Sequence, residues 1–273
     1  MKPIVVPVNF TGSSSNAARY AADMALAVQG ELHLIHVVQF PVTPAEIPTS
    51  DIMFEELQRN GETLLEALKK ELTDRTNGYV PVSTHMDTGG VEYHLQKYCD
   101  RIKPFVVVMG ASGNFLERMF AGSNTVRAVH HLPYPVLVIP DKAAFHAIRK
   151  IVLACDLDDI ASGIPVSVSF LSELRDLFSA HFEVVNVITR SEQSEGQAVF
   201  EFDSWKDRLQ EIYPEIHFVH TNKVDEGIND YLAGHPADLL LVFPKSHSLL
   251  EFHRSQAKKV VLHCPIPVMS LHE

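Results

Sequence analysis

The sequence repeats one order of apolar segments twice, and this repeat constrains the fold more than any other feature. Each half opens with a lysine and a short apolar run, at Lys2 and at Lys150, and each closes on a Pro-x-Pro-Val segment, at residues 133–136 and 265–268. Solenoid repeats are much shorter than these halves, so the pattern predicts two duplicated domains.

The boundary between the copies follows from where the repeat restarts. A chain of 273 residues has room for two domains of ordinary size. The second copy begins at the run that opens with Lys150, so the boundary falls between Asp141 and Arg149. We therefore predict one domain at residues 1–145 and another at residues 146–273.

Within each half, short apolar runs alternate with segments of helical spacing. Runs rich in β-branched residues suit strands buried on both faces of a parallel sheet. The order β-α-β-α-β-α-β-α-β predicts an α/β fold with two tandem open parallel-sheet domains and right-handed crossovers. The predicted strands are Ile4–Val8, Leu32–Val38, Tyr79–Thr84, Phe105–Met109 and Val136–Ile139, then Lys150–Asp156, Phe182–Ile188, Ile216–His220, Asp238–Phe243 and Val268–Leu271.

Helices are predicted between these strands from apolar residues three or four positions apart. The first starts at the serine caps Ser13, Ser14 and Ser15 and stops at Gly30. The others are Asp51 to Asn77-Gly78, Val91–Ile102 and Thr125–His131, then a segment marked by Ile164, Val168, Leu171 and Phe178, followed by Ala198–Tyr213 and Val224–Leu232.

Charge and cysteine content exclude several classes of protein. The chain has 34 acidic and 23 basic residues, a formal net charge of −11, so a broad electrostatic interaction with nucleic acid or an anionic membrane is disfavoured. Its cysteines, Cys99, Cys155 and Cys264, form no CxxC pair and give neither a disulfide framework nor a zinc cluster. No signal peptide and no membrane-spanning apolar run is recognised, so we expect a soluble, cytoplasmic protein.

The segment Val108–Thr125 carries the main functional signal. It leaves a predicted buried strand, passes Gly110 and Gly113, and enters a helix after Gly122-Ser123. As an isolated pattern, this segment fits a phosphate-binding loop and a plain turn followed by a helix start equally well. Its placement favours an anion site, because ligands of open parallel sheets bind beyond the carboxyl ends of strands, where glycines let main-chain N–H groups approach phosphate.

These features resemble the universal stress protein family. The family loop is Gly-x2-Gly-x9-Gly-Ser/Thr, and this chain has Gly110-x2-Gly113-x8-Gly122-Ser123. The family also has an opening strand ending in Pro-x-Asp-Phe-Ser and a second strand ending in His-Val, for which this chain has Pro7–Thr11 and His36-Val37. The resemblance covers both halves and implies Rossmann-like sheets of the adenine nucleotide alpha hydrolase-like type.

The resemblance to the ATP-binding members implies a role for each matching position of the first copy. The nucleoside pocket would be lined by Pro7, Val8 and Asn9, with the main chain of Val37 binding adenine. Met109 and Gly110 would pack near the sugar. The phosphates would be approached by Ser112 and Gly113 and enclosed by Gly122, Ser123, Asn124 and Thr125.

Two positions of the first copy depart from the family pattern. The last glycine spacing is one residue shorter, and Asn9 stands where the family has an aspartate. An amide still forms hydrogen bonds but lacks the charge that helps to recruit Mg²⁺. The resemblance implies ATP or AMP as the ligand, and the two departures predict that its binding is weakened, altered or lost, with Mg²⁺ left open.

The second copy departs in the opposite way. Asp156 is present, but the segments 243–248 and 252–255 replace the glycine loop, so no ATP is expected there in the family manner. Lys245 and Arg254 fit an anion site less well than a solvated basic face.

No catalytic or metal constellation is identified. The histidines at 130, 131, 217, 220, 247, 253 and 263 form neither HExxH nor a Cys-His zinc spacing, so surface or core roles are favoured over metal binding. Ser123 lacks a GxSxG context and suits a phosphate ligand or helix cap. Without an acid-base pair, the chain is at most a slow ATPase, whose turnover Gly113→Asp should abolish.

Two functions remain open from the sequence. The preferred one is a stress-associated regulatory protein in which ATP or AMP orders the loop from Gly110 to Ser123 and changes the surface shown to a partner. The alternative is a scaffold or small-ligand binder that has lost the nucleotide site. The resemblance also implies that the terminal strands of the two copies pair within the chain, and a homodimer of the whole tandem stays open.

Overall fold

The structure is a computed structural model that describes residues 1–39, 51–111, 128, 131–154, 168–189, 209, 212–243 and 264–271. The chain divides into two compact units, Met1–Phe145 and His146–Glu273. Within the described ranges, no helix is both long enough and apolar enough to cross a bilayer.

The first unit contains a parallel sheet with the strand order β3-β2-β1-β4-β5. Its strands are β1 (Lys2–Pro7), β2 (Gly30–Val38), β3 (Val82–Thr88), β4 (Val106–Gly110) and β5 (Val136–Ile139). Its described helices are α1 (Gly12–Val28), α2 (Asp51–Arg75) and α3 (Val91–Ile102).

The core of this unit lies around its central strands. Ile4, Val5 and Val6 of β1 and Val106–Val108 of β4 are all fully buried, as expected for strands covered on both faces. Small residues on α1, including Ala17, Ala21 and Ala25, are also fully buried and let this helix pack closely on β1, β2 and β4. The α/β prediction and the parallel sheet are therefore confirmed.

The ends of α1 differ from the prediction. Thr11 is the N-cap, and its Oγ1 accepts a hydrogen bond from the main-chain N–H of Ser14 at 3.4 Å, whereas Ser13, Ser14 and Ser15 lie inside the helix. Gln29 forms the C-cap with φ of 53°, and Gly30 already belongs to β2. Several adjacent residues of cap type made the choice of N-cap ambiguous in the sequence.

Strand β3 also differs from its prediction of Tyr79–Thr84, because it begins at Val82 and ends at Thr88. Asn77 and Gly78 both have positive φ, and the turn after α2 extends to Tyr79, which is 76% exposed. The strand is mostly polar and lies at the edge of its sheet, so it lacks the apolar run that marks the central strands.

The second unit has a parallel sheet of the same connectivity, with the order β8-β7-β6-β9-β10. Its strands are β6 (Lys150–Ala154), β7 (His181–Thr189), β8 (Glu215–Thr221), β9 (Leu239–Val242) and β10 (Val268–Ser270). Its described helices are α4 (Val168–Phe178) and α5 (Val224–Gly234). The helices predicted at Thr125–His131 and Ala198–Tyr213 lie mostly outside the described residues.

Candidate functional site

The carboxyl ends of β1 and β4 meet at the switch point of the first sheet. The chain crosses from β1 to β2 on one side, and later from β3 to β4 on the other side of β1. Crevices beyond such strand ends are the usual ligand sites of open parallel sheets. Six predicted site residues lie at this edge: Pro7, Val8, Asn9, Val37, Met109 and Gly110.

The turn after β1 connects directly to α1. The Oδ1 of Asn9 accepts hydrogen bonds from the hydroxyl of Thr11 at 2.7 Å and from its main-chain N–H at 3.3 Å. Phe10 has φ of 60°, which turns the chain sharply into the helix. The amide oxygen of Asn9 is thus used inside the turn, and its amide NH₂ is the group left to meet a ligand.

A histidine from β2 supports the end of β1. The Nδ1 of His36 lies 2.8 Å from the carbonyl oxygen of Val8. Because a carbonyl only accepts, the Nδ1 of His36 must carry the proton, which leaves Nε2 as the acceptor of the neutral ring. The His36 ring also lies 4.6 Å, between centroids, from the ring of Phe10. The sequence matched this histidine to the family motif but did not predict its contact with Val8.

Gly110 ends β4 at a position where a side chain has no room. A Cβ on this residue would lie 2.4 Å from the carbonyl oxygen of Ser13 in the first turn of α1. Its neighbour Met109 is buried and pairs with Val138 of β5. Glycine at 110 is therefore what lets β4 end against the start of α1.

The main chain of Val37 faces the space beyond the end of β1. In a strand, main-chain groups of successive residues point to opposite neighbours. The carbonyl oxygen of Val38 accepts from Gly89 on the β3 side at 2.9 Å, while that of Ile35 accepts from Val8 on the β1 side at 2.8 Å. Val37 thus points toward β1, two residues past Ile35, where β1 has already ended.

The amino end of α1, which carries the positive end of the helix dipole, lies at this edge. The first turn contains no acidic side chain, so nothing on that turn neutralises the partial charge. The described acid at the neighbouring end of β3, Asp87, is engaged elsewhere: its Oδ2 lies 2.6 Å from His94 Nδ1. Burial acts to raise the pKa of Asp87, but the hydrogen bond from Thr88 and the contacts with His94 outweigh it and lower that pKa.

The remaining predicted site residues lie outside the described part of the chain. They are Ser112, Gly113, Gly122, Ser123, Asn124 and Thr125 of the first copy, and Asp156, Lys245 and Arg254 of the second.

The structure also forms a polar cluster in the second unit that the sequence did not predict. Glu183, buried on β7, lies 2.7 Å from the Nζ of Lys150 and accepts a 2.6 Å hydrogen bond from the hydroxyl of Tyr231. Burial acts to raise the pKa of Glu183, but the Lys150 and Tyr231 contacts dominate and lower it. A usable signal was present in the alternation of polar residues at 181 and 183, and at 215 and 217.

Comparison with known proteins identifies the family of this chain. The sequence profile of the universal stress protein family matches residues 1–140. The chain belongs to the universal stress protein family. A universal stress protein of Methanocaldococcus jannaschii is 31% identical over 142 residues, which covers 50% of this chain and 81% of that protein.

Solved structures reproduce the fold over the full chain. A universal stress protein from Archaeoglobus fulgidus superposes with a TM-score of 0.75 at 14% identity, covering 100% of this chain and 96% of that one. A functionally unknown Pseudomonas aeruginosa protein superposes with a TM-score of 0.60 at 16% identity, covering 100% and 92%. At these identities the likeness concerns the fold, and it confirms the tandem arrangement of two universal stress protein folds.

Proposed function

We propose that the protein binds an adenine nucleotide, ATP or AMP, at the carboxyl edge of the first sheet and acts as a cytoplasmic stress-response regulator rather than a catalyst. The observation that carries the proposal is the meeting of the β1 and β4 ends with the first turn of α1, where Gly110 leaves no side chain against Ser13. Membership of the universal stress protein family supports it.

The described residues suit the nucleoside part of the ligand. Val8 and Met109 are buried apolar side chains at the ends of the two central strands. The main chain of Val37 points to the same edge and offers the donor and acceptor that an adenine edge requires. An apolar surface with a few fixed polar groups is the usual composition of a small-molecule site.

The phosphates would then lie toward the glycine segment. The positive end of α1 favours a negative charge near this edge. The sequence assigns the closer contacts to Ser112, Gly113 and the residues from Gly122 to Thr125, and these assignments stay predictions.

Mg²⁺ does not fit the described residues of this edge. Asn9 supplies an amide in place of a carboxylate, and its Oδ1 already accepts two hydrogen bonds from Thr11. Hard divalent ions select carboxylate oxygens, so we expect ATP affinity to depend little on Mg²⁺. Titrating wild type and Asn9→Asp with ATP, with and without Mg²⁺, measures this, and the substitution should increase the dependence.

Calorimetry of the full chain with ATP and AMP tests the proposal. We expect a measurable heat of binding and a higher melting temperature with nucleotide, because a ligand that binds the folded state stabilises it. Gly113→Asp should abolish both effects by placing a carboxylate among the predicted phosphate contacts.

The matched control is Gly234→Asp, which adds the same charge to the other unit at a glycine whose Cβ would meet nothing within 4 Å. It should bind like wild type. If millimolar ATP gives wild type neither a heat of binding nor a higher melting temperature, the proposal is wrong.

A second candidate function is a scaffold, or a binder of another small molecule, on the same fold. The observation that favours it is that Asn9 Oδ1 already accepts two hydrogen bonds from Thr11 inside the turn. Mass spectrometry of the compounds released from freshly purified protein separates the two: an adenine nucleotide supports the first, and a different molecule supports the second.

A further inference from the structure

Four ionisable side chains come together at the amino edge of the second sheet. The register aligns Lys150 with His181 and Glu183 with Glu215 on adjacent strands. Because side chains alternate along a strand, His181 and Glu183 face the same side as Glu215 and His217. We call His181, Glu183, Glu215 and His217 the β7–β8 cluster.

The distances within the cluster are short. The ligand atoms of His181, Glu183 and Glu215 all lie within 4.8 Å of one another. The Nε2 of His181 lies 3.4 Å from Oε1 of Glu215, and the Nε2 of His217 lies 4.0 Å from its Oε2. One carboxylate thus stands between two imidazoles, with a second carboxylate beside them.

One atom of the cluster has an unmet requirement. The Nε2 of His217 is buried and makes no hydrogen bond with the residues that the structure describes. Buried polar atoms are nearly always paired, because leaving one unpaired costs the free energy of removing it from water. A ligand at this edge that accepts an imidazole lone pair would remove that cost.

The charges of the cluster favour a cation. Lys150 neutralises Glu183, which leaves the carboxylate of Glu215 with the two histidines as its ion-pair partners in the described part of the chain. With neutral imidazoles, two carboxylates and one ammonium leave one negative charge. Lys150 also competes for Glu183, so a metal would share that carboxylate with the ammonium.

We propose that the β7–β8 cluster binds one divalent transition-metal ion, with Zn²⁺ as the best match. Imidazole nitrogens together with carboxylate oxygens are a zinc ligand set, and His181, Glu183 and Glu215 already place three such atoms within 4.8 Å of one another, with His217 beside Glu215. The ion would join β7 to β8 at the edge opposite the carboxyl ends of these strands. This site is independent of the nucleotide proposal, since it uses other residues in the other unit.

Zinc titration of the full chain after treatment with EDTA tests the proposal. His181→Asn and Glu215→Gln change side chains that are 49% and 64% exposed, so both variants should fold. We expect one tight Zn²⁺ per chain in wild type, at least about tenfold weaker binding in each variant, and a zinc-dependent rise in melting temperature that both variants lose.

The matched control is His146→Asn. His146 is a 65% exposed histidine whose Nε2 lies 3.2 Å from a carboxylate oxygen of Asp238, in the same unit. It should bind zinc like wild type, which separates the cluster from the other histidines. The proposal fails if wild type binds no Zn²⁺ at 100-fold excess, or if either cluster variant binds as wild type does.

Discussion

At the scale of single residues, Gly110 has the least room for a side chain among the glycines that the structure describes, because of its contact with Ser13. A Cβ at 110 would meet the Ser13 carbonyl oxygen at 2.4 Å and its carbon at 2.6 Å, both main-chain atoms that cannot rotate away. Either β4 or the start of α1 must then move.

Gly110→Ala should therefore lower the free energy of unfolding by roughly 1–3 kcal/mol, the usual cost of forcing extra volume into a packed site. It should also weaken nucleotide binding. Gly12→Ala is the control, because a Cβ there meets nothing within 4 Å. Urea unfolding measures both variants, and equal stabilities would show that the contact relaxes without cost.

Cys99 illustrates how burial controls reactivity. The residue is fully buried on α3, and burial raises the pKa of its thiol to about 12. Since the thiolate is the nucleophile, we expect iodoacetamide to leave Cys99 unmodified in the folded protein at pH 8 and to modify it in urea. Peptide mass spectrometry reads the result, and rapid labelling of the folded chain would contradict it.

The same shift has a consequence for stability at high pH. The ordinary pKa of a cysteine thiol is 9.0. Between about pH 9 and 12, Cys99 therefore keeps its proton in the folded state and loses it in the unfolded chain. The contribution of Cys99 to stability is present below pH 9 and decreases as pH rises through this interval. Cys99→Val should flatten that decrease.

At the scale of elements, two ion pairs join α1 to α2. Arg75 donates from Nε and Nη2 to the two carboxylate oxygens of Asp23, both at 2.7 Å, and Arg19 pairs with Glu71. The Asp23–Arg75 side chains are 26% and 42% exposed, so solvent screens the interaction. A bidentate geometry keeps it at the upper end of what surface pairs contribute.

A double-mutant cycle with Asp23→Ala and Arg75→Ala should give a coupling of about 0.5–1 kcal/mol that shrinks in 1 M NaCl. The comparison cycle is Glu66–Lys69, a more exposed pair at 3.6 Å within α2. It should couple more weakly. A salt-independent coupling at Asp23–Arg75 would show that packing, rather than charge, joins the helices.

Central elements were predictable from the sequence, while edges and caps were not. The strands β1, β4 and β5 are recognisable in the sequence because strands buried on both faces are apolar throughout. Val91–Ile102 was predicted with its observed bounds because its apolar spacing has no competing cap. In contrast, β3 is mostly polar, and its starting residue depends on the turn at Asn77 and Gly78 rather than on its own composition.

The two candidate sites also differ in how far the sequence predicts them. The carboxyl edge of the first sheet, where we propose the nucleotide binds, was predicted from the sequence because the glycines and the family motif mark it locally. The β7–β8 cluster was not, because its members come from two strands: Glu183 and Glu215 are paired in the register although they are 32 residues apart in the sequence. Only the pairing of β7 with β8 brings them together.

At the scale of the whole molecule, the two units share a strand order but differ in the sequence segment that follows the fourth strand. The family profile matches residues 1–140, and the glycine segment is found only in the first copy. Nucleotide titration should therefore give one bound ATP or AMP per chain. A stoichiometry of two would show that the second copy binds nucleotide without the glycine segment.

The edge strands β3, in the first sheet, and β8, in the second, also bear on how the chain behaves at high protein concentration. Both carry histidine and acid on a sheet edge, where an incoming strand from another molecule would have to desolvate them. Fibre growth by strand addition is thereby disfavoured at these two edges. We therefore expect the chain to resist assembly through these two edges at high protein concentration.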